Sequence, residues 1–198
     1  MNIKKSVKIL SQTEDLSEKE IKAKSLIKKG VTDEDILEIL NCVKNEEAGL
    51  LLKCIGFPRL TEFVDQILTL YQDINWPINA YTFDLLKVSD KEILLSSIKK
   101  IFKNHSTDSL WHSFILSNLV RLLPPDYQKE LVEELKQLTV TADRDSACFN
   151  AAQILFENNL IVAEEKKEIF NFLTESFKHN KDFNEDLKDL AKFFGNSN

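Results

Sequence analysis

The scarcity of helix breakers is the feature that most constrains the fold of this chain. Only 4 glycines and 4 prolines occur in its 198 residues. β-Sandwiches and α/β proteins of this length need many more of both, because tight turns require backbone conformations that other residues avoid. Leu, Ile, Lys, Glu and Phe dominate instead. The sequence therefore predicts an all-α fold.

Helix-start signals and apolar residues at helical spacing divide the chain into about ten to eleven predicted helices. Ser17 with Glu20 resembles a capping box and Gly30 supplies a stop, which predicts a first helix over about 18–29. Residues 1–16 are predicted to be a loosely attached N-terminal arm, and residues 17–198 a single helical-repeat domain. The other predicted helices begin near Thr32, 46, Pro58, Trp76, Ser89, Thr107, Pro125, 143, 163 and Asp182.

The predicted helices form pairs that recur at a nearly constant interval. The long second helices begin near residues 58, 90, 125 and 163. In the first helices, Asp73-x-x-Trp76 recurs as Asp108-x-x-Trp111, and Asp143 follows at the same interval of 35 residues. Such intervals are typical of solenoids in which each helix pair buries one face on its neighbour. The sequence therefore predicts an α-α superhelix of stacked antiparallel helix pairs of the HEAT-like kind.

The charge balance limits the class of partner. The formal net charge is −6, and the lysines near the N-terminus alternate with glutamates without interleaved aromatic residues. Because an acidic surface repels phosphate backbones, we expect no nucleic-acid partner. A protein of basic character is the partner that this charge favours, and no oligomeric state is predicted.

The cysteines and the N-terminal segment indicate the compartment. Cys42, Cys54 and Cys148 lie far apart and none forms a CxxC pair, so neither a zinc site nor a redox dithiol is expected. No apolar run is long enough to span a membrane, and residues 1–7 lack the apolar core of a signal peptide. We therefore expect a soluble protein of the reducing cytoplasm, without a membrane partner.

Catalytic sequence motifs are missing from the chain. It contains no GxSxG, HExxH, Walker or GxGxxG motif, and its glycines are too well separated to form a phosphate-binding loop. No catalytic residue, metal ligand or cofactor is predicted.

Seven residues are candidates for binding a partner, and each also has a structural interpretation. Aspartates at helix starts accept backbone N–H bonds, whereas a stacked row of them would form an acidic ridge for a cation or a basic protein. Tryptophans either fill the space between helix pairs or anchor a partner on a concave face. A histidine in an apolar helix is either a partly buried polar residue or a binding or proton-transfer group. The seven candidates are Asp73, Trp76, Asp108, Trp111, His112, Asp143 and Asp145.

Several short segments between Leu60 and Leu155 carry a family resemblance. They are Tyr71-Gln72-Asp73-Ile74-Asn75-Trp76-Pro77, Trp111-His112-Ser113-Phe114-Ile115-Leu116, Leu123-Pro124-Pro125, Glu133-Glu134-Leu135, and Ala151-Ala152 with Ile154-Leu155. Together they resemble a bacterial family known only as a domain of unknown function, DUF5071. The resemblance implies a HEAT-like fold with a family core over about 57–157 and helical extensions on both sides. It implies no activity and no catalytic residue.

Three functions are open from the sequence. Because helical-pair solenoids present extended surfaces, the leading hypothesis is a non-catalytic protein-interaction module. A second is a bacterial immunity-type protein, whose acidic groove neutralises a basic toxin. A third is an enzyme that uses a concave groove, against which the acidic charge and the missing aromatic–basic patches weigh. A toxin-like neighbouring gene would favour the second over the first.

Overall fold

A computed structural model describes residues 1–104, 107–141 and 146–194. Every regular element in these ranges is helical, which confirms the predicted all-α class. The α-helices are α1 (Ile3–Ser11), α2 (Leu16–Ile27), α3 (Asp33–Leu40), α4 (Glu46–Ile55), α5 (Val64–Thr69), α6 (Thr82–Leu86), α7 (Lys91–Asn104), α8 (Ser109–Asn118), α9 (Pro125–Lys129), α10 (Val132–Thr139), α11 (Ala147–Glu157), α12 (Ala163–Phe177) and α13 (Asn184–Ala191). Short 3₁₀ helices span Thr61–Phe63, Leu70–Gln72, Pro77–Tyr81, Val120–Leu122 and Lys181–Phe183.

The predicted number of helices is wrong, because the described residues alone form 13 α-helices. The first difference is α1, which lies within the predicted arm and buries Ile3, Val7 and Leu10. The second is a break after Pro125, where one predicted helix is the pair α9 and α10. At this break the N–H groups of Glu130 and Leu131 donate to carbonyls three residues back instead of four, which interrupts the α-helical pattern.

The helix predicted from Pro58 is also interrupted. Thr61–Phe63 and Leu70–Gln72 are 3₁₀ turns on either side of α5. Apolar residues three and four positions apart fit both kinds of helix, so the sequence pattern cannot distinguish them. By contrast, α4 begins at Glu46 and ends before Gly56 (φ 63°), as predicted.

Two compact units, Met1–Ser97 and Ile98–Asn198, make up the chain, with the boundary inside α7. In the first unit, α4 packs against α1, α2, α3, α6 and the Pro77–Tyr81 segment, and its residues 48–52 are all buried. In the second unit, α11 packs against α8, α10, α12 and α13 and buries eight residues. These two helices therefore contribute much of the buried apolar surface of their units. The prediction of a single domain over residues 17–198 stays a prediction.

Asp35 links the start of α3 to the start of the chain. One carboxylate oxygen accepts a hydrogen bond from the Thr32 N–H at 3.0 Å, and the other accepts one from the Met1 amine at 2.7 Å. Thr32 Oγ1 accepts in turn from the Asp35 N–H, which completes the capping box. The hydrogen bond from the Met1 amine, followed by that from Thr32, lowers the pKa of Asp35.

Replacing Asp35 with asparagine should lower the free energy of unfolding by roughly 1–2 kcal/mol, because the amide has one acceptor oxygen for two donors. Since the folded pKa lies below the unfolded value, the carboxylate's contribution is present above about pH 4 and disappears as the pH falls through the folded pKa. Urea unfolding between about pH 7 and pH 3 should therefore show wild type and variant converging in acid. A difference that stays constant would contradict this role, and Glu38→Gln, exposed on the same helix, is the control.

Candidate partner-binding surface

The first pair of predicted residues lies at one loop of the first unit. Asp73 follows the Leu70–Gln72 turn, and its carboxylate accepts a hydrogen bond from the Asn75 N–H at 3.0 Å. Trp76 is half-buried and precedes Pro77, the first residue of the next 3₁₀ helix. Both residues shape the entry to the Pro77–Tyr81 segment.

Three further predicted residues lie at the start of α8 in the second unit. Asp108 is the N-cap of this helix and accepts a hydrogen bond from the Trp111 N–H at 3.2 Å, which confirms the helix-cap interpretation. Trp111 and His112 are only 2% and 1% exposed. The His112 ring meets Phe102 edge-on, with ring centroids 5.2 Å apart. An anchor for a partner has to be exposed, so both rings act here as core residues.

Asp143 and Asp145 lie outside the described residues. Asp73 belongs to the first unit and Asp108 to the second, so the acidic ridge stays a prediction.

In the first unit, an aromatic side chain that is not among the seven predicted residues packs against α4. Tyr81 is half-buried, and its ring lies against Gly49. A Cβ added at Gly49 would overlap the carbonyl oxygen of Ile78 and come within 3.1 Å of Tyr81 Cδ2. The Ile78 N–H also donates to Val43 O at 3.3 Å, just before α4. The glycine therefore lets the Pro77–Tyr81 segment approach the helix backbone and positions Tyr81 across it.

Charged side chains surround this tyrosine. Its hydroxyl donates to Glu46 at 3.3 Å, and Lys53 Nζ lies 5.4 Å from its ring centroid. Glu47 pairs with Lys19 of α2 at 3.2 Å. Glu20, also on α2, pairs with Lys24 at 2.7 Å. We call the surface formed by Glu20, Glu46, Glu47, Lys53 and Tyr81 the Tyr81 face.

Burial and neighbouring carboxylates oppose ionisation of the tyrosine hydroxyl. Burial raises the pKa of Tyr81, and the charges of Glu46, Glu47 and Glu20 raise it further. A phenol whose ionisation is opposed by three carboxylates is a place where an added positive charge is attracted. The Tyr81 face thus offers an aromatic ring and a hydroxyl in a field that favours a Lys or Arg side chain.

Burial also affects two cysteines of the first unit. Burial raises the pKa of Cys54, on α4, and that of Cys42, after α3. Reactive cysteines instead have a lowered pKa, because the thiolate is the nucleophile. Among residues 1–104, 107–141 and 146–194, no three His, Cys, Asp or Glu side chains are grouped to hold a metal ion.

In the part of the chain that the structure describes, no helix combines enough length and apolar character to cross a membrane.

Comparison with known proteins gave one family match. The sequence model of a family described as "Domain of unknown function (DUF5071)" matches residues 45–155. This range contains all of α4 and Tyr81. No curated protein and no solved structure matches the chain.

Proposed function

Since this chain belongs to the DUF5071 family, whose description assigns no activity, we propose that it is a non-catalytic interaction module that binds a basic protein through the Tyr81 face. The observation that carries this proposal is the half-exposed tyrosine held over Gly49 in the field of three glutamates. Tyrosine is enriched among the residues that dominate binding energy, because it combines a rigid apolar ring with a polar tip.

The same proposal includes the architecture that the sequence predicts. Stacked antiparallel helix pairs of the HEAT-like kind present successive helices on one surface. Within the first unit, the residues of the Tyr81 face come from α2, α4 and the Pro77–Tyr81 segment. A partner that contacts it would touch all three of these elements.

A charge-reversal variant tests the binding surface. Glu46 is exposed, so Glu46→Lys should leave the fold intact while it reverses the charge beside the Tyr81 hydroxyl. We expect about tenfold less partner to be retained on the immobilised variant from native lysate, which corresponds to about 1.4 kcal/mol. Tyr81→Phe, which removes only the hydroxyl, should cause a smaller loss. Partner retained by the wild type should dissociate as salt is raised, because exposed charges are screened.

Glu175→Lys is the matched control, since Glu175 is exposed on α12 of the second unit. Equal losses in Glu46→Lys and Glu175→Lys would show that only net charge matters, and unchanged retention in Glu46→Lys would exclude the Tyr81 face. Mass spectrometry of the retained protein distinguishes a toxin from another basic partner, which also tests the immunity-type alternative.

A further inference from the structure

Lys53 places a positive charge over the aromatic ring of the Tyr81 face. Its Nζ lies 5.4 Å from the Tyr81 ring centroid, and a ring attracts a cation within about 6 Å. Over residues 1–104, 107–141 and 146–194, this ammonium forms no ion pair and donates no hydrogen bond. The ring is therefore the group that its charge contacts.

The carboxylates near Lys53 have closer partners. Glu20 pairs with Lys24 at 2.7 Å, and Asp84 pairs with Lys87 at 2.7 Å. These two lysines lower the pKa of their carboxyl partners most, and the charge of Lys53 lowers both pKa values further. Lys53 thus lies in the field of Glu20 and Asp84, but neither carboxylate holds its ammonium in place.

The helix α4 brings Lys53 to the ring. Lys53 lies four residues after Gly49, so the two residues are on the same side of the helix. The Tyr81 ring lies against Gly49 and is therefore next to the Lys53 side chain. Because Lys53 is exposed and its stem is flexible, the ammonium can leave the ring without movement of the helix.

The contact between Lys53 and the ring is weak enough to be displaced. A cation–π contact at an exposed site shifts an equilibrium by roughly two- to fivefold. A basic partner that brings a second cation to the same ring face meets a like charge there, and two such charges repel each other. The two cations therefore compete for one position.

We propose that Lys53 is an internal ligand of the Tyr81 face, which occupies the position of an arginine side chain of the partner and leaves the ring when the partner binds. This inference rests on the proposed function. Arginine is the residue that replaces an ammonium with gain, because its planar guanidinium stacks on aromatic faces and is more weakly hydrated. Its other N–H groups remain free to donate to Glu46, beside the Tyr81 hydroxyl.

Binding of a decapeptide of alternating glycine and arginine, measured by fluorescence anisotropy at low ionic strength, tests the displacement. Lys53→Ala removes the internal ligand and should tighten binding about fivefold. Lys53→Arg keeps the charge but stacks more strongly on the ring, so it should weaken binding by about threefold. In a Tyr81→Leu background, Lys53→Arg should have no effect, because the ring for which the two cations compete is gone.

Lys24→Ala is the matched control. Lys24 is exposed and, like Lys53, is the basic residue in the last turn of its helix. Its ammonium pairs with Glu20, so its removal takes the same charge from the same surface and should tighten binding by at most about twofold. A melting curve for each variant confirms that a changed affinity is not changed folding.

Equal gains in Lys24→Ala and Lys53→Ala, or undiminished binding in Lys53→Arg, would overturn the proposal, because net charge alone would then explain the affinities. If Glu46→Lys still loses the peptide in that case, the proposed function stands and only the role of Lys53 is wrong. If Glu46→Lys binds the peptide as well as the wild type does, the Tyr81 face is wrong too. Absence of peptide binding by both the wild type and Lys53→Ala would overturn the arginine position, whereas retention of a basic protein from lysate tests the proposed function separately.

Discussion

Replacing Gly49 with alanine should lower the free energy of unfolding by about 3 kcal/mol or more. The new methyl group would overlap the Ile78 carbonyl oxygen and press on the Tyr81 ring. The Ile78 carbonyl belongs to the backbone, which cannot move aside as the end of a flexible side chain can. Its segment is further held by the hydrogen bond from the Ile78 N–H to Val43. The helix and the Pro77–Tyr81 segment therefore have to separate.

The Gly49→Ala test is informative because packing and helix propensity predict opposite changes in stability. In a helix interior without such a contact, glycine to alanine is stabilising by about 1 kcal/mol. Urea unfolding of Gly49→Ala should thus show a loss where helix propensity alone predicts a gain, and Ser25→Ala, exposed on α2, should show almost no change. A more stable Gly49→Ala protein would mean that the close approach, and with it the placement of Tyr81, is wrong.

The sequence contained a signal for this contact. Gly49 lies in an apolar run that predicts a helix. An isolated glycine in such a run often marks a position where another part of the chain packs closely against the helix. The segment that approaches it begins after Asp73 and Trp76, two of the predicted site residues. Two of the predicted residues thus lie at the entry to the segment that contacts Gly49. The sequence could not predict Tyr81, because the contact of Tyr81 with α4 depends on tertiary packing of residues about thirty positions apart.

At two helix starts the capping residue is an aspartate that lies one or two positions from the predicted residue. Asp15 caps α2, where Ser17 was predicted, and Ser17 donates to the Asp15 carboxylate instead. Asp90 likewise accepts from the Ile93 N–H at the start of α7, next to the predicted Ser89. A carboxylate is the stronger acceptor and also interacts favourably with the helix dipole, so it takes the cap where both are available.

The aspartates that recur at an interval of 35 residues occupy different structural positions. Asp73 follows a 3₁₀ helix, whereas Asp108 caps an α-helix. A closer correspondence is a side-chain amide that reaches back to the preceding 3₁₀ helix. Asn79 donates to Leu70 O and Asp73 O in the first unit, and Gln128 makes the equivalent contacts in the second. The spacing of identical residues in the sequence cannot show this correspondence. Asn79 and Gln128 are different residue types, and they lie at different distances from the preceding prolines, Pro77 and Pro125.

Of these two amides, Gln128 is the more buried and has more carbonyl acceptors. The residue is 2% exposed and lies in α9, just after Pro124 and Pro125. Its Nε2 donates to the carbonyl oxygens of Val120, Arg121 and Leu123 at 3.0, 3.2 and 3.1 Å. These carbonyls belong to the 3₁₀ helix Val120–Leu122 and the residue after it, and the Val120 oxygen also accepts a hydrogen bond from the Leu123 N–H at 3.2 Å. Three acceptors around one nitrogen also fix which end of the side chain is the NH₂ group.

Gln128→Glu should therefore be the most damaging nearly isosteric change in the second unit. At about pH 7 it places a carboxylate against three carbonyl oxygens, and we expect the free energy of unfolding to fall by about 4 kcal/mol. Gln128→Met, which removes the donors without adding charge, should cost about 2 kcal/mol.

The pH dependence separates the charge from the lost hydrogen bonds. Among carbonyl oxygens the folded pKa of the new glutamate is raised, so its cost appears as the pH rises above the unfolded value of about 4.3 and is absent below it. A protonated carboxyl has an O–H that can donate, so at about pH 4 the Gln128→Glu protein should become at least as stable as Gln128→Met. Gln66→Glu, exposed on α5, should show neither effect. If Gln128→Glu matches Gln128→Met at every pH, the amide is not the donor that holds this turn, because only a carboxylate facing acceptors produces the reversal.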